Sequence, residues 1–259
     1  MRIALGVEYD GSRYCGWQYQ EHSPSVQDCL ERALAAVADH PVRVHAAGRT
    51  DTGVHALGQV VHFETQAQRT ERGWVFGANT HLPNDVVVTW ARPVADSFHA
   101  RFSAQTRQYR YVICNRPVRP SVLASRVAWD YRPLDLTLMR LGGAYLVGEH
   151  DFSSYRATAC QAKNPVRHVH RLELTQKHEL ILMDVTANGF LHHMVRNIAG
   201  VLMAIGAGAR EPEWARDLLM LRNRALGGVT APPHGLYFMA ASYPAHYNIP
   251  SPISTHMVW

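Results

Sequence analysis

The segment Gly48–Gln59, GRTDTGVHALGQ, places Asp51 two residues after Arg49 and between Gly48 and Gly53. A carboxylate on a turn ordinarily caps nearby backbone N–H groups. Two features go beyond that use. Arg49 lies close enough in sequence to reach Asp51, and predicted strands on both sides make a scaffold stiff enough to hold a reactive group. Asp-Thr-Gly is also the triplet of aspartic proteases, in which two carboxylates share one proton. An adjacent guanidinium favours the ionised carboxylate and so opposes that sharing. The triplet also occurs once. The chemistry left is one that needs a single ionised carboxylate.

Other residues bear on the partner. His55, His62, His192 and His193 could be assembled into a metal site, but His192 and His193 are adjacent and point apart on a helix. No His-Glu-x-x-His motif is present, so no metal is expected. Neither Gly-x-x-x-x-Gly-Lys nor Gly-x-Gly-x-x-Gly occurs, so no nucleotide cofactor is expected. RQYRYVICNRPVR brings together Arg107, Tyr109, Arg110, Tyr111, Arg116 and Arg119. On a strand Tyr109 and Tyr111 share one face and Arg110 takes the other. Such a tyrosine face suits an unpaired base and the arginines suit phosphates. A half-buried strand with a polar exterior has the same pattern. Arg167, His168, His170 and Arg171 form a second basic strand.

The elements that would carry these residues follow from periodicity. RIALGVEYD reads as a strand. Ser25-Val26-Gln27-Asp28 resembles a capping box opening a helix whose Val26, Leu30, Ala33, Leu34 and Val37 face a core. VRVHAAG and QVVHFET are strands on either side of the Asp51 loop. TERGWVFGANTHL is a helix interrupted by Gly73 and Gly77, and DVVVTWARPV is a β-branched strand. The order β-α-β-β-α-β is that of a ferredoxin-like unit. The second half repeats it: QTRQYRYVICN as strand and LDLTLMRLGGAYLVG as helix, with Leu134, Leu138, Leu141 and Tyr145 on one side. RHVHRLELTQ and LILMDVTAN are strands, HHMVRNIAGVLMAIG and EWARDLLML helices, and GLYFMAASY the last strand. The expected division is 1–104 and 105–259. The second half contains a Pro-rich excursion, NRPVRPSVLASRVAWDYRPL, and ends in an irregular tail from Pro244.

Composition agrees with this class. The 259 residues are 47% hydrophobic, enough for a substantial core and against disorder. Lys and Arg exceed Asp and Glu by 26 to 21, giving +5 and a pI near 9.2. Arginines far outnumber lysines, and a guanidinium grips phosphate bidentately. A polyanion partner fits. Cys15, Cys29, Cys114 and Cys160 have neither knuckle nor disulfide spacing and read as reduced thiols in a cytoplasmic protein. Glu8 and Asp10 interrupt any signal-peptide core, and GVLMAIGAGA is too short to span a bilayer.

Along nearly its whole length the chain resembles the TruA-type tRNA pseudouridine synthases. The matching stretches are VEYDGSRYCGWQ, AGRTDTGVHALGQVVHF, FHARFSAQTRQYRYVI, GEHDFSSY and FLHHMVRNIAG. The loop around Asp51 together with HHMVRN makes the resemblance specific. Thr52 departs from the alanine usual in the family and removes no reacting group. The resemblance implies an α+β fold of two ferredoxin-like halves whose mostly antiparallel sheets join across a central cleft, in a homodimer. It implies conversion of uridine to pseudouridine at positions 38, 39 and 40 of the tRNA anticodon stem-loop, without a cofactor. Asp51 would be the catalytic aspartate, acting as a nucleophile or a base, and Arg196 its ion-pair partner. Tyr109 would stack on the target uracil, Arg49 would displace the nucleotide, and Leu236 would line the uracil pocket. Arg107 and Arg110 are candidates for phosphate contacts. An RNA-binding module with this fold and no activity is the alternative class.

Overall fold

The structure, a computed structural model, describes residues 1–250. It is an α+β fold with five α-helices and predominantly antiparallel strand pairing. By packing, the chain divides into two compact units. One comprises Met1–Arg107 together with the described residues from Tyr237 on, and the other Gln108–Leu236.

The first unit starts with strand β1 (Arg2–Tyr9), helix α1 (Val26–Ala38), the two-residue β2 (His45–Ala46), β3 (His55–Glu64), helix α2 (Glu71–His81) and β4 (Val86–Val94). β1 is the central strand, antiparallel to β3 on one side and to β4 on the other, and β2 runs antiparallel to β3. α1 starts where Ser25 Oγ accepts from the Asp28 N–H, which satisfies one of the helix's orphan donors. Val26, Leu30, Ala33 and Leu34 are buried along one face, while Val37 is half-buried. α2 is unbroken through Gly73 and Gly77. A Cβ on Gly77 would lie 2.9 Å from Val37 Cγ2, so this glycine permits close approach of the two helices. Trp74 meets Phe63 of β3 edge to face at 5.1 Å, anchoring α2 to the sheet.

The second unit takes up most of β5 (Thr106–Asn115) and continues through β6 (Ala128–Asp130), helix α3 (Leu136–Ala144), β7 (Gly148–Asp151), β8 (Val166–Lys177), β9 (Leu180–Ala187), and helices α4 (Met194–Gly206) and α5 (Trp214–Leu221). Its strand order is β5-β9-β8-β7, with β6 parallel to β5. The buried face of α3 is Met139, Gly142 and Gly143, not the side carrying Leu141, which is exposed. The glycines decide this. Cβ atoms on Gly142 and Gly143 would lie 2.8 Å from Ile205 and Leu172 side chains, so α4 and β8 occupy the space that larger residues would need. α4 is apolar nearly all round and buries ten residues.

The last strand, β10 (Leu236–Ser242), returns the chain to the first unit, where Tyr237 and Phe238 pair in parallel with His55 and Ala56 of β3. The expected division at 104/105 thus gives way to crossings after Arg107 and after Leu236, and the strand expected to complete the second half packs with the first. Pairing with the buried start of β3 links this strand to a partner distant in sequence. The described part of the tail holds Tyr247 edge-on against Phe98 at 5.2 Å; residues 251–259 of the expected tail lie outside the described residues.

Candidate active site

The Asp51 loop is held from behind by the segment that follows β1. Thr50 C=O accepts from Trp17 N–H at 3.0 Å, and Tyr14 C=O accepts from Gly53 N–H at 3.3 Å. Two glycines make that approach possible. Gly16 has φ +93°, and a Cβ there would lie 2.8 Å from Thr50 O; a Cβ on Gly11 would fall 1.9 Å from Val54 O. Gly53, at φ 75°, lets the chain turn beyond Asp51, whose carbonyl accepts from Val54 N–H at 3.1 Å.

Side chains close the loop from within. Gln59 is fully buried; its Nε2 donates to Gly48 C=O at 2.7 Å and its Oε1 accepts from Gly48 N–H at 3.4 Å. Tyr9 and Thr50 share a buried hydroxyl–hydroxyl hydrogen bond of 2.7 Å. Burial pushes the Tyr9 phenol up to about 12, against the opposing hydrogen bonds of Thr50 and Gln59, so it stays a neutral partner. His55 Nδ1 accepts from Gly11 N–H at 3.1 Å, and the ring stacks on Tyr237 at 4.7 Å. Thr50 is buried, Asp51 half-exposed, and Arg49 and Thr52 exposed. The backbone is fixed and the carboxylate is presented.

The second unit carries the other expected residues. Tyr109 and Tyr111 share the buried face of β5, as alternation requires, and Tyr109 meets Phe190 edge to face at 5.0 Å. Tyr111 donates to Pro232 C=O at 2.7 Å; burial raises its pKa, with the Arg196 guanidinium opposing. Arg196 lies in the first turn of α4. Its Nε donates to Ala231 C=O at 2.8 Å, and its own C=O accepts from Ala231 N–H at 3.1 Å. This reciprocal pair orients the guanidinium plane. Leu236 is buried, and the preceding Gly235 is packed so closely that a Cβ would lie 2.6 Å from Val112 O.

Three expectations change. Arg110, expected as a phosphate contact, forks onto Asp184 of β9, Nε to Oδ1 at 2.8 Å and Nη2 to Oδ2 at 2.9 Å, so its guanidinium already has a carboxylate partner across the sheet. Arg107 donates to the carbonyls of Ala47, Arg101 and Ala104, making it a clasp between segments of the first unit. His192 and His193 are not helical: α4 starts at Met194, His193 has φ 61°, and their rings lie 4.1 Å apart.

The family model described as tRNA pseudouridine synthase matches residues 6–103 and 144–244. The tRNA pseudouridine synthase A of Nitrosococcus oceani is 57% identical over 259 residues, covering 100% of both chains. The proteins of that name from Methylococcus capsulatus and Pseudomonas aeruginosa are 55% and 57% identical. Each covers 96% of this chain, with 92% and 88% of the relative included.

The chain belongs to the tRNA pseudouridine synthase family.

The first segment matched by the pseudouridine synthase model contains Arg49 and Asp51, and the second contains Arg196 and Leu236. Arg107, Tyr109 and Arg110 fall between the two. Sequence reading assigned no role to Tyr9, Gly11, Gly16, Trp17 or Gln59, which hold the pseudouridine synthase loop in shape. The glycines of VEYDGSRYCGWQ were the available signal, since closely spaced glycines outside a regular element mark close backbone approach.

Proposed function

We propose that the protein is an isomerase that converts uridines of tRNA to pseudouridines, at positions 38, 39 and 40 of the anticodon stem-loop. The observation that carries this reading is the family match across both segments, with end-to-end identity to a tRNA pseudouridine synthase A. The braced, half-exposed carboxylate of Asp51 supports it.

The reaction breaks the bond from uracil N1 to the ribose C1′, turns the base, and joins C5 to the same carbon. C5 loses a proton and N1 gains one, so atoms and electrons balance without an oxidant or water. A glycosidase needs two carboxylates, one to protonate the departing group and one to attack or to activate water. Here the uracil stays in the pocket and carries its own negative charge, so one carboxylate suffices. Asp51 serves as nucleophile toward the sugar carbon or the uracil ring, or as the base at C2′. Arg196 pairs with it, and an opposite charge nearby keeps a carboxylate ionised.

The target nucleotide must leave its stack, at a cost of roughly a few kcal/mol. Arg49 assists that step. Tyr109 offsets part of the cost, since stacking on an aromatic ring contributes about 1–3 kcal/mol per base, and it retains the detached uracil. Leu236 excludes water that would trap the sugar. The protein works as a homodimer in the cytoplasm; among the described residues no helix is long and apolar enough to cross a membrane.

The test is chemical labelling of pseudouridine in tRNA incubated with wild type, Asp51→Asn and Asp51→Ala. Both variants should retain tRNA binding and form no product. Normal turnover by Asp51→Ala removes the catalytic assignment, and no product from wild type on any tRNA removes the activity. Arg196→Ala should lower kcat far more than it weakens tRNA binding; equal losses would make it a phosphate contact.

A further inference from the structure

FHARFSAQTRQYRYVI resembles the family, yet the chemistry above uses only Tyr109 from it. The geometry points to a second RNA contact within this stretch: Phe102, carried on a turn with Arg101 and His99, is a stacking platform for an unpaired base of the substrate RNA. This rests on the proposed activity, since it names a further contact for the same substrate.

Phe102 is 75% exposed. A phenyl ring so displayed is ordinarily on a mobile segment, but this turn is fixed at every step. Ser103 N–H donates to His99 C=O at 2.9 Å, and His99 N–H donates to Ser103 Oγ at 3.0 Å. The N–H groups of Arg101 and Phe102 both point at His99 Nδ1, at 3.1 and 3.3 Å. Ala100 N–H donates to His62 Nδ1 at 3.1 Å, and Tyr243 OH donates to Ala100 C=O at 2.7 Å. The ring therefore loses little freedom when a ligand lands on it.

One side of the Phe102 ring rests on His99, with centroids 4.3 Å apart and planes 34° from parallel. The Arg101 guanidinium carbon lies 5.6 Å from the ring centroid, at the outer limit of a cation–π contact. Phe76, also exposed, differs: it sits on the regular surface of α2 with Arg72 one turn away, an ordinary helix pair.

Charge around the turn selects the partner. Burial lowers the pKa of His99, and the neighbouring His45, Arg2 and Arg101 act in the same direction. The nearby carboxylate of Glu64 is engaged by Arg2. Phe102 is also the one exposed large hydrophobic residue between Val88 and Pro117. A protein partner needs on the order of 1,000 Å² of complementary surface, which a lone ring in a cationic setting does not offer. A planar base attached to phosphates fits both features.

The platform is tied to the catalytic loop. Arg107 donates from Nη2 to Arg101 C=O and from Nε and Nη2 to Ala47 C=O, at 3.4 and 3.3 Å, so one side chain spans the turn and the strand residue leading into Gly48. A base on Phe102 is thus held in fixed relation to the Asp51 loop.

The test compares wild type, Phe102→Ala and Phe102→Trp. Phe102→Ala should raise the Kd and KM for tRNA roughly five- to a hundredfold, the loss expected for one base stack. Its kcat and thermal stability should be nearly unchanged, and Phe102→Trp should restore affinity. The indole of Phe102→Trp should be quenched by added tRNA beyond the change seen in wild type. Unchanged Kd in Phe102→Ala, with pseudouridine still formed by wild type, overturns the platform. So does a shift of Phe102→Ala to a smaller species in sedimentation, which would give the ring to a second copy of the chain. If wild type forms no pseudouridine, a single-stranded RNA oligonucleotide decides the platform by the same quenching: a signal upholds it and no signal removes it.

Discussion

Two loops of the first unit are held rigid by different means. The Asp51 loop depends on close backbone approach at Gly11 and Gly16 and on neutral partners, the Gln59 amide and the Tyr9 and Thr50 hydroxyls. The 99–103 turn depends on imidazoles as acceptors: His62 holds Ala100, and His99 holds Arg101 and Phe102. A protonated ring nitrogen cannot accept, whereas an amide or a glycine contact does not respond to pH in the ordinary range. Close packing thus contributes more to the Asp51 loop, and imidazole acceptors contribute more to the turn. His55, at the exit of the Asp51 loop, is also an imidazole acceptor, its Nδ1 taking the Gly11 N–H and lying 3.1 Å from Asp10 Oδ1.

Steric substitutions should break the Asp51 loop first. Gly11→Ala puts a methyl 1.9 Å from a backbone oxygen, which must move. We expect a loss of about 3 kcal/mol in chemical denaturation, together with loss of turnover. Full stability and activity would mean that the approach of the two segments is not needed. Gln59→Leu keeps the volume but leaves Gly48 N–H and C=O without partners; the expected cost is about 2 kcal/mol, with kcat falling more than tRNA affinity.

Acid should distinguish the turn. Burial, reinforced by His99, His45 and Arg2, lowers His62 to about 3, against 6.5 for the free side chain. Above pH 6.5 His62 is neutral in both states and costs nothing. As pH falls from 6.5 toward 3 the unfolded chain takes up a proton that the folded chain refuses, so stability declines. At pH 5 the loss from this group is of order 1–2 kcal/mol. Denaturation curves at pH 7.5 and pH 5 should show it, and His62→Gln should show a smaller difference between the two. An equal difference would place the acid sensitivity elsewhere.

Tyr9→Phe should have the smallest effect, about 1 kcal/mol from loss of the hydroxyl pair with Thr50. That loss should not vary between pH 5 and 8, because the phenol titrates only near 12. A marked pH dependence in that range would blur the distinction between the loops.

Much of the architecture could be read in advance because its signals are local. The Ser25 cap, the buried face of α1 and the alternation of β5 depend on neighbours within a few residues. The misreadings involve contacts distant in sequence. VRVHAAG forms only the two-residue β2, while β3 starts at His55, earlier than QVVHFET suggests, because Tyr9 of β1 and Tyr237 of β10 pair there. β6 and β7 are three and four residues long, and a pattern so short carries no periodicity. The α3 face shifted because glycine invites a neighbour instead of supplying a side chain.

The same division holds for function. Residue types and their local order singled out a carboxylate close to an arginine, on a glycine-bounded loop, as the candidate for the chemistry, and the arginine-rich composition pointed to an anionic partner. Tertiary structure alone decided which arginines were already committed. Arg110 forks onto Asp184, 74 residues away, and Arg107 donates to the carbonyls of Ala47 and Arg101, partners that spacing in the sequence does not reveal. A guanidinium pairs with whatever acceptor folding brings within hydrogen-bond reach, and a distance across the chain cannot be read from spacing along it.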